Sequence, residues 1–324
     1  MALPTTLQEA VVYFADPKNC NEFLAGLRWP DGKPRCPQCG SDKVTYLASV
    51  NRYKCYGKHS KAQFSFKVGT IFEDSPISLD KWLYAMWLIV NCKNGISSCE
   101  MARDLGITQK SAWFLDHRIR FALFNGSFDK MSGHVEADET FIGGKARNMH
   151  VAQKQLRVTG TGGKDKVPVM GILERGKDGK SRVRTAVIPN RKKKAIQAEV
   201  RNHVEAGSAL YTDFLLSYEG LAGDYAHKVV DHAVEYVRGN VHTNGLKKYW
   251  SLLKRTISGT YVSVEPWHLF RYLDEQAYRF NNRGKDMNDS ERFKLAASQV
   301  MGKRLTWNQV TGKDGEDQTS ASAN

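Results

Sequence analysis

Residues 133–145 read GHVEADETFIGGK, a β-prone run that carries acids where a buried strand calls for apolar side chains. The two-residue period of a strand puts Glu136 and Asp138 on one face, and Val135, Ala137 and Glu139 on the other. A carboxylate inside a sheet is costly unless it holds a cation. A second acid, Asp213, ends another strand-like run, SALYTD at 208–213. Aspartates at neighbouring strand ends, Asp138 and Asp213 here, can hold a pair of Mg²⁺ ions through oxygen ligands. Such ions activate water or a 3′-hydroxyl and stabilise the leaving oxygen during in-line attack on phosphate. Each acid alone reads as an ordinary cap or surface carboxylate; the segment that follows them changes that reading.

That segment is VHTNGLKKYWSLLKR, residues 241–255. Leu246, Tyr249, Trp250 and Leu253 mark one helical face. Lys247 and Lys254 lie about two turns apart and share another face. Lys254 and Arg255 suit phosphate contacts near a metal site. Around these motifs, from Gly133 to Asn282, short β runs alternate with longer helical ones, which predicts an α/β domain with a mixed central sheet and the aspartates converging at one edge of it. Met170 to Arg175 and Arg184 to Ile188 read as adjacent strands, a hairpin across the GKDGK turn. The basic, Gly-rich loop from Arg147 to Lys166 is expected to be mobile until DNA binds, and residues 313–324 to be a disordered tail.

Upstream, Cys36-Pro37-Gln38-Cys39-Gly40 is a knuckle of two thiolates, with Gly40 permitting the tight turn. Cys55 and His59, inside KCYGKHSKAQFS, supply the second half. Three thiolates and an imidazole complete a tetrahedral structural zinc site, which a small β module with little apolar mass needs in order to fold. Cys20, Cys92 and Cys99 stand apart and read as buried thiols. Residues 95–122, GISSCEMARDLGITQKSAWFLDHRIRFA, have helix-turn-helix layout. Ser97 and Glu100 have capping-box spacing, Gly106 breaks the first helix, and Thr108 or Gln109 can start the second. Arg118 and Arg120 on that second helix are the expected phosphate contacts.

Composition agrees with a polyanionic partner: 48 Lys+Arg against 34 Asp+Glu give a formal net charge of +14. No apolar run is long enough to span a membrane. The N-terminal stretch lacks the basic and apolar regions of a signal peptide. Clustered cysteines in a cytosolic chain point to metal rather than disulfides. The expected organisation is a zinc ribbon with helical lead-in over 1–75, a helical DNA-binding segment over 76–128, the α/β domain over 129–285 and a polar tail over 286–324.

With VEADETFIGGK, GILERG, YTDF, HTNGLKKYWSLLKR, GTYVSVEPWHLFRYLDEQAYRFNNR and the upstream FKVGTIFEDSPI in view, the chain resembles the zinc-ribbon insertion-sequence transposases of the ISXO2-like DDE family from about residue 20 to residue 283. The resemblance implies an RNase H-like catalytic domain that cuts transposon ends and joins them to target double-stranded DNA, using two Mg²⁺ or Mn²⁺ ions. It also implies a homo-oligomer acting in the bacterial cytoplasm, at the nucleoid. Asp138 maps onto the first catalytic acid and Asp213 onto the second. Glu139, Gly143 and Gly144 belong to the first motif without an assigned role. At the third position the pattern departs: the family's glutamate falls on Lys247, and a protonated lysine is a donor that cannot ligate Mg²⁺. Either Asn244 serves as third ligand through its side-chain oxygen, or this copy has lost catalysis and acts only by occupying DNA. An RNase H-like nuclease without strand transfer is the third reading.

Overall fold

The structure, a computed structural model, describes residues 3–124, 129–143, 151, 166–176, 180–230, 241–284 and 287–313. It divides into one unit of Met1–Asn125 with Lys285–Asn324 and a second of Gly126–Gly284. Most of the 147–166 loop, the centre of the GKDGK turn and the last residues of the tail lie outside the described residues.

In the first unit, helix α1 (Leu7–Phe14) opens with a capping box between Thr6 and Glu9, and α2 (Pro17–Arg28) opens on Asp16 with proline in its first turn. Both caps satisfy backbone N–H groups that a helix start leaves without partners. A three-stranded antiparallel sheet follows, β1 (Val44–Leu47), β2 (Arg52–Cys55) and β3 (Gln63–Phe64). Its buried side is small: Tyr53 stacks on Phe64 at 5.4 Å and meets Trp29 edge-on at 5.0 Å.

Helices α3 (Leu79–Asn91), α4 (Ser98–Leu105) and α5 (Gln109–Leu123) come next. The local signals for α4 and α5 hold: Ser97 accepts from Glu100 N, Gly106 turns with φ of 59°, and Thr108 accepts from Ser111 N. The expectation for Arg118 and Arg120 needs correction, because they are only 4% and 1% exposed. Arg118 lies over Trp82 and Phe114 and donates to the Glu73 carbonyl. Every residue from Leu115 to Arg120 is buried, so this stretch of α5 offers no face to a phosphate. The exposed part of α5 is its first turn at Gln109 and Lys110.

The polar-tail reading of 286–324 also changes. Residues Asp289–Ser298 form α9 and Trp307–Thr311 form α10, each opened by a capping box. Phe293 stacks on Phe23 at 5.4 Å and packs against Phe14 and Trp87. A few apolar side chains on one helical face suffice to dock a segment whose average composition is polar.

The second unit is a five-stranded mixed sheet. Its strands are β4 (His134–Ile142), β5 (Val167–Glu174), β6 (Arg182–Val187), β7 (Ala209–Asp213) and β8 (Ala226–Val230), in the order β6-β5-β4-β7-β8. The β6-β5-β4 side is antiparallel, whereas β4-β7 and β7-β8 are parallel. Strands β5 and β6 thus pair as the sequence predicts. Helix α6 (Lys193–His203) covers one face, where Val135, Ala137, Ile172, Ile196 and Val200 pack together. Helices α7 (Asn244–Thr256) and α8 (Leu269–Asn281) cover the other, with Val169, Leu173, Leu246, Trp250 and Leu273 between them and the sheet. Both faces being covered explains why the strands carry so few exposed polar residues and why an acid on β4 stands out.

Candidate functional site

Strands β4 and β7 are hydrogen-bonded neighbours only from His134↔Ala209 to Glu136↔Tyr211. Beyond that register they no longer pair, while β4 continues against β5 to Ile142. Asp138 and Asp213 each lie two residues past the last paired residues, so they meet where the parallel pairing of β4 and β7 ends, at the carboxyl end of β7, and not at a lateral edge of the sheet. An opening of this kind between parallel strands is where open α/β sheets place their ligands. Oxygens of Asp138, Glu139 and Asp213 all lie within 4.8 Å of one another.

The α7 face builds the wall over Asp138. Gly171 on β5 is the register partner of Asp138, and a Cβ there would sit 2.5 Å from the Trp250 ring. Glycine therefore lets the indole lie on the strand, from which Trp250 Nε1 donates to Asp138 Oδ2 at 3.1 Å. Asp138 is 9% exposed. Burial first, and the neighbouring Asp213 second, push its carboxyl up to about 6; the donors and the Lys247 charge act the other way. Burial likewise pushes Glu139 up to about 7, against the hydroxyl of Tyr218, which donates to it from the α6 side.

These shifts have a signed consequence for stability. Above the ordinary carboxylate range near 4 the unfolded chain has released protons that the folded protein still holds. Stability of the metal-free protein therefore falls as pH rises toward 6 and 7. Thermal unfolding of the parent and of Asp138→Asn is expected to give similar midpoints near pH 4, with the variant's advantage growing between about pH 4 and 6 and levelling off above. A constant difference across that window would contradict this account.

Glu136, on the same face of β4 and 1% exposed, ties the start of α7 to the sheet. It accepts the Leu246 N–H at 2.9 Å and Arg175 Nε at 2.7 Å. Arg175 in turn donates to the His242 carbonyl at 2.6 Å and lies 4.7 Å over the Tyr211 ring. A Cβ on Gly245 would come within 2.9 Å of the Glu136 carboxylate. A carboxylate under a helix N-terminus also meets the favourable end of the helix dipole. Sequence alternation places Glu136 beside Asp138, but Arg175, His242 and Trp250 show only as members of motifs, with nothing local to say that they converge. Asn244 is the first residue of α7, Lys247 lies one turn on and is half-buried, and Lys254 and Arg255 are exposed in the last turn.

In the first unit, Cys36, Cys39, Cys55 and His59 come together with all four ligand atoms within 4.8 Å. Cys36 Sγ lies 3.4 Å from His59 Nε2, and Cys39 Sγ 3.6 Å from Cys55 Sγ. A tetrahedron with Zn–S bonds of about 2.3 Å has edges of roughly 3.8 Å, so the donor set fits zinc in both chemistry and size. Gly40 turns the knuckle with φ of 69°. A Cβ on Gly57 would lie 2.9 Å from Cys39 Sγ, so a side chain there would crowd the thiolates. Of the remaining cysteines Cys20 is buried as expected, Cys92 is half-buried, and Cys99 is exposed rather than buried.

Residues 130–281 match the ISXO2-like transposase domain family, and residues 16–57 match the transposase zinc-ribbon domain family. A protein in the transposable element ISH50 of Halobacterium salinarum is 28% identical over 261 residues, covering 76% of this chain and 84% of that relative. A transposase-like protein of Haemophilus influenzae is 29% identical over 104 residues, covering 32% of this chain and 84% of its own. No helix among the described residues is long and apolar enough to cross a membrane.

Proposed function

We infer that this chain, a member of the ISXO2-like transposases with a transposase zinc ribbon, cuts the ends of an insertion sequence and joins them to target DNA. The observation that carries the reading is the meeting of Asp138 and Asp213 where the pairing of two adjacent parallel strands ends. The mixed sheet with helices on both faces supports an RNase H-like core for the second unit. Asp138 and Asp213 would hold divalent ions, Mg²⁺ or Mn²⁺; these supply activation of the attacking hydroxyl and charge stabilisation on the leaving oxygen. Trp250 fixes the Asp138 carboxylate by donating to one oxygen, leaving the other for ligation. Glu136 and Arg175 hold α7 over the acids. Asn244 enters this set only through its side-chain oxygen, from the first turn of α7. Lys254 and Arg255, exposed at the other end of the helix, fit phosphate contacts, and a homo-oligomer acting on paired ends follows from the family.

Two observations bear on DNA contacts by the first unit. Arg118 and Arg120 are buried, so the second helix of the helix-turn-helix pair offers only its first turn. The ribbon sheet, by contrast, presents a basic face. Register puts Arg52 and Lys54 on one side with Thr45 and Gln63, and alternation adds Lys43, Tyr56 and Lys61. All these side chains are exposed, Lys54 lies over the Tyr56 ring at 5.3 Å, and none of the four cations pairs with a carboxylate among the described residues. A sheet face with cations and no acid matches a duplex backbone. Replacing Lys43, Arg52, Lys54 and Lys61 together by alanine is expected to reduce the slope of log affinity against log salt by roughly 2 to 4. An unchanged slope would move the contact elsewhere.

A specific observation favours a second reading. Lys247, at the position where the resemblance implies a glutamate, brings a charge that acts on Asp138. A chain so altered could bind element ends without cutting them. The deciding experiment is a strand-transfer assay with element-end DNA and Mg²⁺ or Mn²⁺. Joined product from the parent chain supports an active transposase. A silent parent with an active Lys247→Glu variant supports the DNA-occupying reading instead. Cleavage without joining would leave a nuclease.

A further inference from the structure

We propose that Glu139 is a third carboxylate ligand of the metal centre at Asp138 and Asp213, to which α7 contributes no acid. The proposal rests on the reading of Asp138 and Asp213 as metal-holding residues. Strand pleating alone argues against it: consecutive residues on β4 point to opposite faces. Asp138 does face α7, where Trp250 donates to it, and Glu139 faces α6, where Tyr218 donates to it. Yet both carboxylates come within 4.8 Å of Asp213. The reason is the end of β4–β7 pairing at Glu136↔Tyr211. Past that point no strand among the described residues pairs with the β7 side of β4, and side chains from both faces can turn into the same opening. Glutamate, one methylene longer than aspartate, has the reach to do so.

Helix α7 supplies no acid at this level. Gly245 and Leu246 sit on Glu136, whereas Trp250 reaches Asp138 two residues further along β4. Six residues of helix rise about 9 Å, so the Asn244 backbone belongs to the Glu136 end of the contact and not to the level of the acids. Lys247, between them, brings an ammonium group. Among the described residues, Glu139 is the one carboxylate that joins Asp138 and Asp213 in a metal-sized group. Tyr218 donates to Glu139 from a position only 1% exposed. A buried donor on a ligating carboxylate orients it and leaves further lone pairs for a cation.

The test is Mn²⁺ titration by calorimetry on the full-length, zinc-loaded protein without DNA, with a thermal melt for every variant. Glu139→Gln is expected to weaken Mn²⁺ binding by at least ~10-fold, as is Asp138→Asn, since even residues that only support a ligand are worth ~10- to 100-fold. Asn244→Ala, which leaves the three carboxylates and the Tyr218 donor in place, is expected to stay well above the affinity of Glu139→Gln. Glu139→Asp withdraws the charge by one methylene and serves if Glu139→Gln does not fold; it too is expected to bind Mn²⁺ more weakly than the parent. Parent-strength binding by Glu139→Gln or Glu139→Asp, with loss in Asp138→Asn, overturns the proposal while leaving the metal centre standing. Parent-strength binding in Asp138→Asn and Asp213→Asn as well overturns the metal-centre reading beneath it.

Discussion

Replacing Asp138 by asparagine is expected to lower DNA strand transfer by a factor on the order of 10³ while leaving DNA binding and the fold in place. The amide would keep the shape of the side chain and one oxygen to accept the Trp250 N–H, which lies 3.1 Å from Asp138 Oδ2. What the substitution removes is charge, and with it, on the proposed reading, a ligand for a divalent ion beside Asp213. The fold has no reason to suffer. Asp138 is pushed up to about 6 by burial and by Asp213, so the ionised form is a liability to the metal-free protein. Stability and activity should therefore move in opposite directions above pH 6, a pattern that a damaged core could not produce. The measurements are joined-product yield, a DNA-binding isotherm and a melting curve on the same preparation. Parent-level joining by this variant would remove Asp138 from the chemistry.

Removing zinc should have the second large effect, confined to the ribbon. The three strands of that module bury little beyond Tyr53, Phe64 and Trp29, and β3 contributes only Gln63 and Phe64. So small an apolar cluster does not offset the entropy of ordering the chain. Metal binding at such sites is worth about 10 kcal/mol or more, and that free energy is in effect folding free energy. Cys39→Ser or a strong chelator is expected to raise hydrogen exchange across residues 36–64 to near the unfolded rate. Helices α3 to α5, with cores of their own around Trp82, Leu83, Met86 and Leu115, should retain protection. Acid should mimic the chelator, because thiolates and imidazole must lose protons to bind. Retained protection across 36–64 in the chelated protein would show that the ribbon folds without metal.

How much of this was legible beforehand differs from element to element. The capping signals at Ser97 and Thr108 and the turn at Gly106 specify α4 and α5 because caps act within one turn of their own helix. The same sequence misled about Arg118 and Arg120. Nothing near them in the chain reports that Trp82 and the Glu73 carbonyl cover that side of α5. The helix at 289–298 is hidden in a polar composition for a related reason: Phe293 finds its partners in Phe14, Phe23 and Trp87, far away in sequence.

For the site, the sequence alone determined the ligand types, their spacing in the knuckle, and the face of β4 on which Glu136 and Asp138 stand. Those are local properties, set by side-chain chemistry and by the two-residue period of a strand. Only the tertiary structure decided that β4 and β7 stop pairing at Glu136↔Tyr211, and hence that Glu139 reaches the same opening as Asp138 from the opposite face. It also decided that α7 lays Trp250 on Gly171 and sets Lys247 among the acids. Where two strands part, or how far along a strand a helix docks, follows from the packing of segments distant in the chain, and no local period carries that information.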